Sequence, residues 1–407
     1  MSPESEVDLP GEALLPGALP EALRAELVAF RRDLHMHPEL GNQEFRTTAA
    51  IKERLEQAGL KPRVLPTGTG LVCDIGAPEE QEAGILALRA DIDALPIPDM
   101  KSDCPYRSTV PDRAHACGHD VHTTVVLGAG LVLAALHRRG ALPRPVRLIF
   151  QPAEEVLPGG AGDVIAAGGL DGVEQILAVH CDPRVDAGRI GLREGPITSA
   201  CDRLEIVLDG PGGHTARPHL TTDLVTAAAR VVTDVPALVA RRADSRSGLA
   251  VTWGRIESGH APNVIPQHAE LSGTVRCLDL DVWRQAPDLV VAAIDEVANL
   301  HRAKSEINYV RGVPPVVNDP AVTELLREAM VARRGPESVE GTEQSLGGED
   351  FSWYLEHVPG AMARLGVRPP GERTVRDLHQ GDFDVDEHAI TVGVELFTAA
   401  AFFGTPR

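Results

Sequence analysis

The chain predicts an α/β fold in two domains: a mostly parallel sheet with flanking helices, interrupted by a smaller inserted α+β domain. Three observations carry this. The 407 residues exceed the length at which one hydrophobic core keeps growing. From Gly70 to Val179, short apolar runs alternate with segments of helical periodicity, the pattern of strands joined by crossover helices. Near Gly195 a different order of elements begins, and helix and strand patterns resume at Asp319.

Leu23, Leu27, Phe30 and Leu34 recur at helical spacing, which predicts a helix from Pro20 to His37 with the proline suited to its first turn. A second amphipathic helix over Thr47–Ala58 is stopped by Gly59. Strands follow at Gly70–Ile75 and Ile85–Leu88, then a helix from Asp120 to His137, a strand Val146–Phe150, a helix near Gly162–Ala167 and a strand Ile176–Val179. Beyond Gly195, Arg203–Leu208 reads as a strand, Asp223–Ala240 as a helix, Leu249–Glu257 and His268–Leu278 as strands, Val282–Arg302 as a helix and Glu306–Arg311 as a strand. This βαββαβ order is ferredoxin-like and complete in itself. The expected organisation is a flexible tail over 1–19, a discontinuous domain over 20–194 and 312–407, and the insertion over 195–311.

An apolar content of 43% is ample for real cores, and a formal charge of −20 argues against nucleic acid or anionic membrane surfaces as partners. Met1–Pro20 is acidic and proline-rich, with neither the basic nor the apolar region of a secretory signal. The longest apolar stretch, Val125–Leu136, is too short for a membrane span. A soluble, cytoplasmic protein is expected. Its six cysteines (73, 104, 117, 181, 201 and 277) show no paired short spacing, which predicts free thiols. Cys117 stands apart because it lies in a polar run with His115 and His119.

The chemistry concentrates in four segments: His115-Ala116-Cys117-Gly118-His119-Asp120, Gln151-Pro152-Ala153-Glu154-Glu155, Ala178-Val179-His180 and Asp377-Leu378-His379. Each supplies thiol, imidazole or carboxylate groups, the ligand set of borderline-soft divalent cations. Two directly follow apolar runs that read as buried parallel strands, so their polar groups should emerge at the carboxyl edge where open α/β sheets hold ligands. Cys117 and His119, one residue apart, can face one point because Gly118 permits the necessary backbone turn. Adjacent Glu154 and Glu155 point in different directions, so one can bind metal while the other handles a proton. A lone Cys-Gly-His is more often a packed thiol beside a capping histidine, and a lone Glu-Glu more often a solvated loop; the four segments together make a metallohydrolase the better reading. Asp91 and Asp93, at the end of Ile85–Leu88, are candidates to orient an imidazole. From the residues alone, His214 in Gly212-Gly213-His214, Asn263 and Arg276 carry no assignment.

In combination and order, Leu88–Leu95, His115–His122, Phe150–Glu155, Gly212–His214, Asn263–Pro266, Gly347–Phe351 and Leu378-His379 resemble the amidohydrolase branch of the co-catalytic metallopeptidase and aminoacylase family, which includes hippurate hydrolases, indole-acetyl-amino-acid hydrolases and N-acetyl-diaminopimelate deacetylases. The resemblance begins at Arg31 and covers nearly everything after the tail. It implies a zinc-peptidase-like catalytic domain and an inserted lid and dimerisation domain. It also implies two divalent ions per subunit (Zn, Mn, Co or Ni) held by Cys117, His119, Glu155, His180 and His379, with Cys117 bridging. Glu154 would be the general base. His214 and Asn263 would reach the active site of the partner in a homodimer, with His214 facing the developing oxyanion, and Arg276 would neutralise the substrate carboxylate.

The implied reaction is hydrolysis of N-acyl amino acids to a carboxylic acid and a free amino acid. A dipeptidase or carboxypeptidase activity is the alternative. A metal-free hydrolase using Cys117 as nucleophile leaves Glu154, Glu155 and His180 idle, and a non-catalytic ligand-binding protein leaves a full ligand set unexplained. Two departures stand out: Arg89 occupies a position where distant relatives place a metal-binding histidine, and Leu378-His379-Gln380-Gly381 lacks the Ser-Pro common after that histidine.

Overall fold

The computed structural model describes residues 18–76 and 84–403. Two compact units emerge: Met1–Gly195 with Val317–Glu343 and Trp353–Arg407, and Pro196–Val316 with Gln344–Ser352. The second unit therefore extends beyond the 195–311 expected and takes in a segment assigned above to the other domain. Packing explains the segment: a Cβ on Gly348 would stand 2.9 Å from both Cys201 and Val313, so the chain there lies directly on the second unit. The tail expected over 1–19 lies outside the described residues up to 17, and Leu19, 7% exposed, belongs to the core rather than to a tail.

In the first unit an eight-stranded sheet runs in the order Arg63–Val64, Leu71–Ile75, Val146–Gln151, Ile85–Asp91, Val173–Asp186, Gly360–Arg368, Ile190–Leu192, Val339–Gly341. The four strands from Val146–Gln151 to Gly360–Arg368 are mutually parallel. Antiparallel pairings flank them, Leu71–Ile75 against Val146–Gln151 and Ile190–Leu192 against Gly360–Arg368. Ile85–Asp91 and Val146–Gln151 are buried at every residue, which is why they read as continuous apolar runs rather than alternating ones. Asp91 pairs with Gln151 and Arg89 with Ala178, so the residues after Gln151, the residues after Asp91 and His180 all gather at one end of the sheet.

Helix His119–Arg138 is long and apolar enough to cross a membrane, but it is buried against the sheet and the helices Glu21–Met36 and His388–Ala400. Its contact with the last helix is close: a Cβ on Gly128 would come 2.6 Å from Val394 Cγ2 and 2.7 Å from Leu27 Cδ1. Small residues thus let three helices pack without a gap, and the core seats the N-terminus of the central helix under the sheet's carboxyl end.

The second unit is a four-stranded antiparallel sheet ordered Ala250–Ser258, His268–Cys277, Ala200–Asp209, Lys304–Val313, with helices Leu224–Arg242 and Leu280–Leu300. This is the ferredoxin-like arrangement expected from the element order. Alternate burial along Ala200–Asp209 leaves one face for the helices. Asp202, fully buried, accepts hydrogen bonds from Trp283 Nε1 at 2.9 Å, Tyr309 Oη at 2.7 Å and Gly312 N at 2.9 Å, tying helix and edge strand to the central strand.

Candidate metal centre

Gly118 is the hinge of the first motif. Its φ of 87° is left-handed, a region that favours glycine, and a Cβ there would come 2.7 Å from Cys181 Sγ. The turn presents Cys117, and His119 opens the long helix one residue earlier than expected. His180 does not end its strand: pairing with Gly360–Arg368 carries that strand on to Asp186, so His180 is an interior residue. Its Nδ1 donates to Cys181 O at 2.9 Å, leaving Nε2 3.6 Å from Cys117 Sγ. His379 arrives from the far end of the chain, anchored by its N–H to Ala116 O at 2.8 Å and held at a left-handed φ of 61° that an L-residue resists. Its Nε2 stands 3.2 Å from Glu155 Oε1.

Donor atoms of Cys117, His119 and His180 lie within 4.8 Å of one another, and so do those of Cys117, Glu155 and His379. Cys117 belongs to both groups. A third group joins His119 to Glu154 and Glu155 within the same 4.8 Å. All five expected ligands, together with Glu154, are therefore brought to one place.

The carboxylates divide the supporting work. Asp93 Oδ1 stands 3.3 Å from His119 Nδ1, while its Oδ2 accepts from Glu155 N at 3.0 Å. Asp91 is paired to Arg89 at 2.8 Å and to His122 Nδ1 at 2.7 Å, and lies 3.8 Å from His119 Nε2. His122 Nε2 in turn accepts from Cys181 N at 2.8 Å. Asp91 thus orients His122, and Asp93 orients His119. Arg89 is part of this frame, with Nε on Gln151 Oε1 at 2.9 Å. Asp93 does what its place after Ile85–Leu88 predicts, orienting an imidazole, and the alternation Asp91-Ile92-Asp93 is the signal that marks it; His122 carries no such sequence signal and is identified by its contact with Asp91.

The electrostatics are those of a cation site. His119 is buried, which would lower its pKa, yet Asp91, Asp93 and Glu155 raise it to about 10. Burial pushes the Cys117 thiol well above its ordinary range, with Glu155, Glu154 and Asp91 adding to the effect. Glu155, although buried, is held below the usual range by His379 and His119. Burial, then Arg364, keeps His180 well below its ordinary value, and hence neutral. His119 Nε2 and Glu155 Oε1 are buried and have no partner of hydrogen-bond geometry among the described residues. These two N and O atoms, grouped with the Cys117 thiol, fit a divalent ion.

In the second unit, His214 pairs with Val264 across two short strands, and Asn263 O accepts from Thr215 N at 3.2 Å, so His214 and Asn263 are neighbours. His214 Nδ1 accepts from Ala216 N at 3.0 Å, which places the ring proton of the neutral imidazole on the exposed Nε2 side. Arg276 Nη1 donates to Leu346 O at 2.8 Å.

The family described as Peptidase family M20/M25/M40 matches residues 87–402. The chain is 38% identical over 368 residues to the N-acetyl-L-cysteine deacetylase of Bacillus subtilis, covering 90% of this chain and 85% of that protein. It is 48% identical over 374 residues to a longer Rhodococcus jostii protein that carries a glutamate–cysteine ligase name; the match takes in 92% of this chain but 46% of that protein. Among solved structures, the Bacillus subtilis YXEP protein, a dinuclear metal binding peptidase from the M20 family, superposes with a TM-score of 0.81 at 34% identity, covering 94% of this chain and 98% of that one.

Proposed function

Because the chain belongs to peptidase family M20/M25/M40, we propose that it hydrolyses N-acyl amino acids to a carboxylic acid and a free amino acid, using two divalent ions held by Cys117, His119, Glu155, His180 and His379. Hydrolysis of amide carbon–nitrogen bonds is the activity of the family. The carrying observation is the sharing of Cys117 between two donor groups that also contain His119 Nε2 and Glu155 Oε1, both buried and without a partner of hydrogen-bond geometry among the described residues. Thiolate and imidazole suit Zn, Co or Ni, and the carboxylate tolerates Mn. When bound, the ions lower the pKa of a water towards neutrality and polarise the scissile carbonyl.

The chain's own residues do the rest. Glu154 takes the proton of the attacking water and returns it to the leaving amine. Asp93 fixes the ring of His119 and the backbone of Glu155 together, so the two cannot drift independently. His214 donates from Nε2 to the developing oxyanion, a role its Ala216 contact prepares by occupying Nδ1. Arg276 offers guanidinium N–H groups to the substrate carboxylate, and Asn263 binds beside His214. The second unit serves as lid and dimerisation domain, with His214 and Asn263 acting on the partner subunit's centre in a homodimer. All six cysteines are free, in keeping with a reducing cytoplasm.

A cysteine nucleophile is the weaker reading. Cys117 and His180 are 3.6 Å apart, but burial drives the thiol up and the imidazole down, towards a neutral pair rather than thiolate and imidazolium. The substrate class is tested by assaying N-acetyl, N-benzoyl and other N-acyl amino acids beside unblocked dipeptides, with protein loaded with Mn, Zn or Co. Release of amino acid from the acylated compounds is expected; cleavage of dipeptides alone would replace the proposal with a dipeptidase.

A further inference from the structure

Glu44 occupies the N-cap position of helix Phe45–Gln57 but does not cap it. That work falls to Glu39, whose Oε1 accepts from Arg46 N at 3.0 Å and whose Oε2 accepts from Thr47 N at 2.7 Å. The Glu44 side chain, fully buried, instead reaches the turn that follows strand Val146–Gln151, where Oε1 accepts from Ala153 N at 2.8 Å. Oε2 is buried with no hydrogen-bond partner among the described residues. An acidic side chain turned away from the helix end that would satisfy it, and buried, costs stability locally.

What it holds is a strained residue. Ala153 has φ 57°, the left-handed region that alanine resists, and Glu154 and Glu155 follow directly. The turn is gripped on both sides of Glu154, by Glu44 at Ala153 N and by Asp93 at Glu155 N, 3.0 Å away. The loop bearing Glu44 presses on it as well, since a Cβ on Gly41 would lie 2.8 Å from Val156 Cγ2 and 3.2 Å from Ala153 Cα. We propose that Glu44 is a positioning residue for hydrolysis: its buried carboxyl keeps Ala153 left-handed, and that conformation aims Glu154 and Glu155 at the centre. This rests on the reading that Glu154 and Glu155 act there. Burial, with Asp93 adding to it, raises the Glu44 carboxyl to about 7, so an uncharged acceptor of the same shape should serve nearly as well.

The test uses Glu44→Ala, Glu44→Gln, Glu44→Asp and the double variant Glu44→Ala/Ala153→Gly in the full chain. Removing the acceptor should lower kcat at least about tenfold while KM changes less than about threefold, because misplacement of the base affects the chemical step. Glu44→Gln should keep kcat within about threefold, since the carboxamide oxygen still accepts from Ala153 N. Glycine relieves the left-handed strain, so adding Ala153→Gly to Glu44→Ala should recover at least about threefold of the lost kcat. Zn²⁺ titration of the same proteins should show affinity falling in Glu44→Ala and returning in the double variant, because Glu155 rides on the same turn. Wild-type kcat and Zn²⁺ affinity in Glu44→Ala, a double variant no better than Glu44→Ala, or Glu44→Gln as impaired as Glu44→Ala would each overturn the proposal. Should Glu44→Ala not fold, the order of the other two decides: Glu44→Asp, whose oxygens are withdrawn by one methylene, must be worse than Glu44→Gln, and the reverse order overturns it. If the wild type cleaves no N-acyl amino acid, the functional reading fails, while the Zn²⁺ series still judges Glu44.

Discussion

Cys117, His119 and His180 in the first unit are buried, with the His119 and His180 rings each held by a second contact, whereas His214 and Asn263 in the second unit are exposed, the one on and the other directly before a pair of two-residue strands. The contrast separates two tasks. The groups proposed to hold cations and move a proton gather at the carboxyl ends of parallel strands, where burial sharpens every charge. The groups proposed to meet the substrate sit on short, exposed strands instead. Even so, the exposed region is prepared, since the His214 tautomer is set by a backbone N–H.

The sharpest way to break this division is to disable one member of each region. Glu154→Gln should retain metal and lose at least about 100-fold in kcat, the usual contribution of general acid–base catalysis. Near-normal turnover by metal-replete variant would remove Glu154 from the base role. His214→Ala should also retain metal and lose on the order of 100-fold or more in kcat, as expected for one oxyanion donor. Purified heterodimers of His214→Ala and Glu154→Gln subunits should recover up to about half of wild-type activity if His214 serves its partner, because one site regains the full donor term. Heterodimers as inactive as both homodimers would confine His214 to its own subunit or to no catalytic role.

Smaller effects sharpen the picture of the buried side. Asp93→Asn should weaken metal binding by about 10–100-fold, the range for removing a carboxylate that orients a ligand histidine, and isothermal titration would show it. An unchanged dissociation constant would mean that Asp93 contributes only to packing. Glu44 yields a pH signature. Its carboxyl titrates near 4.5 in an unfolded chain and near 7 in the fold, so the folded state keeps a proton that the unfolded chain has released. Stability should therefore fall as pH rises from about 4.5 to about 7, by on the order of 2 kcal/mol, and the fall should be smaller by that amount in Glu44→Gln. Urea unfolding at pH 5 and pH 8 compares the two; parallel pH dependences would contradict the raised carboxyl.

Much of this was legible from residues alone because the signals are local. The buried strands announce themselves as apolar runs, the turn at Gly118 needs a glycine, and Cys117, His119, Glu154 and Glu155 stand next to them. The length of the His180 strand was not legible, since it depends on pairing with Gly360–Arg368, far away in the chain. The Gly347–Phe351 segment was assigned to the wrong unit for a similar reason: contact with Cys201 and Val313 decides it, and no periodicity records that contact. Glu44 left no signal at all. It looks like an ordinary helix cap until Ala153, 109 positions later, is seen beside it.

The central claim, a hydrolytic centre built on shared metal ligation by Cys117, is tested most directly by chelation. N-acyl amino acid hydrolysis is followed in metal-loaded protein, after removal of metal under reducing conditions that keep Cys117 a thiol, and after addition of Mn, Zn or Co. Activity should vanish on chelation and return with the ion. Turnover that survives complete removal of metal would contradict the account and hand the chemistry to the cysteine.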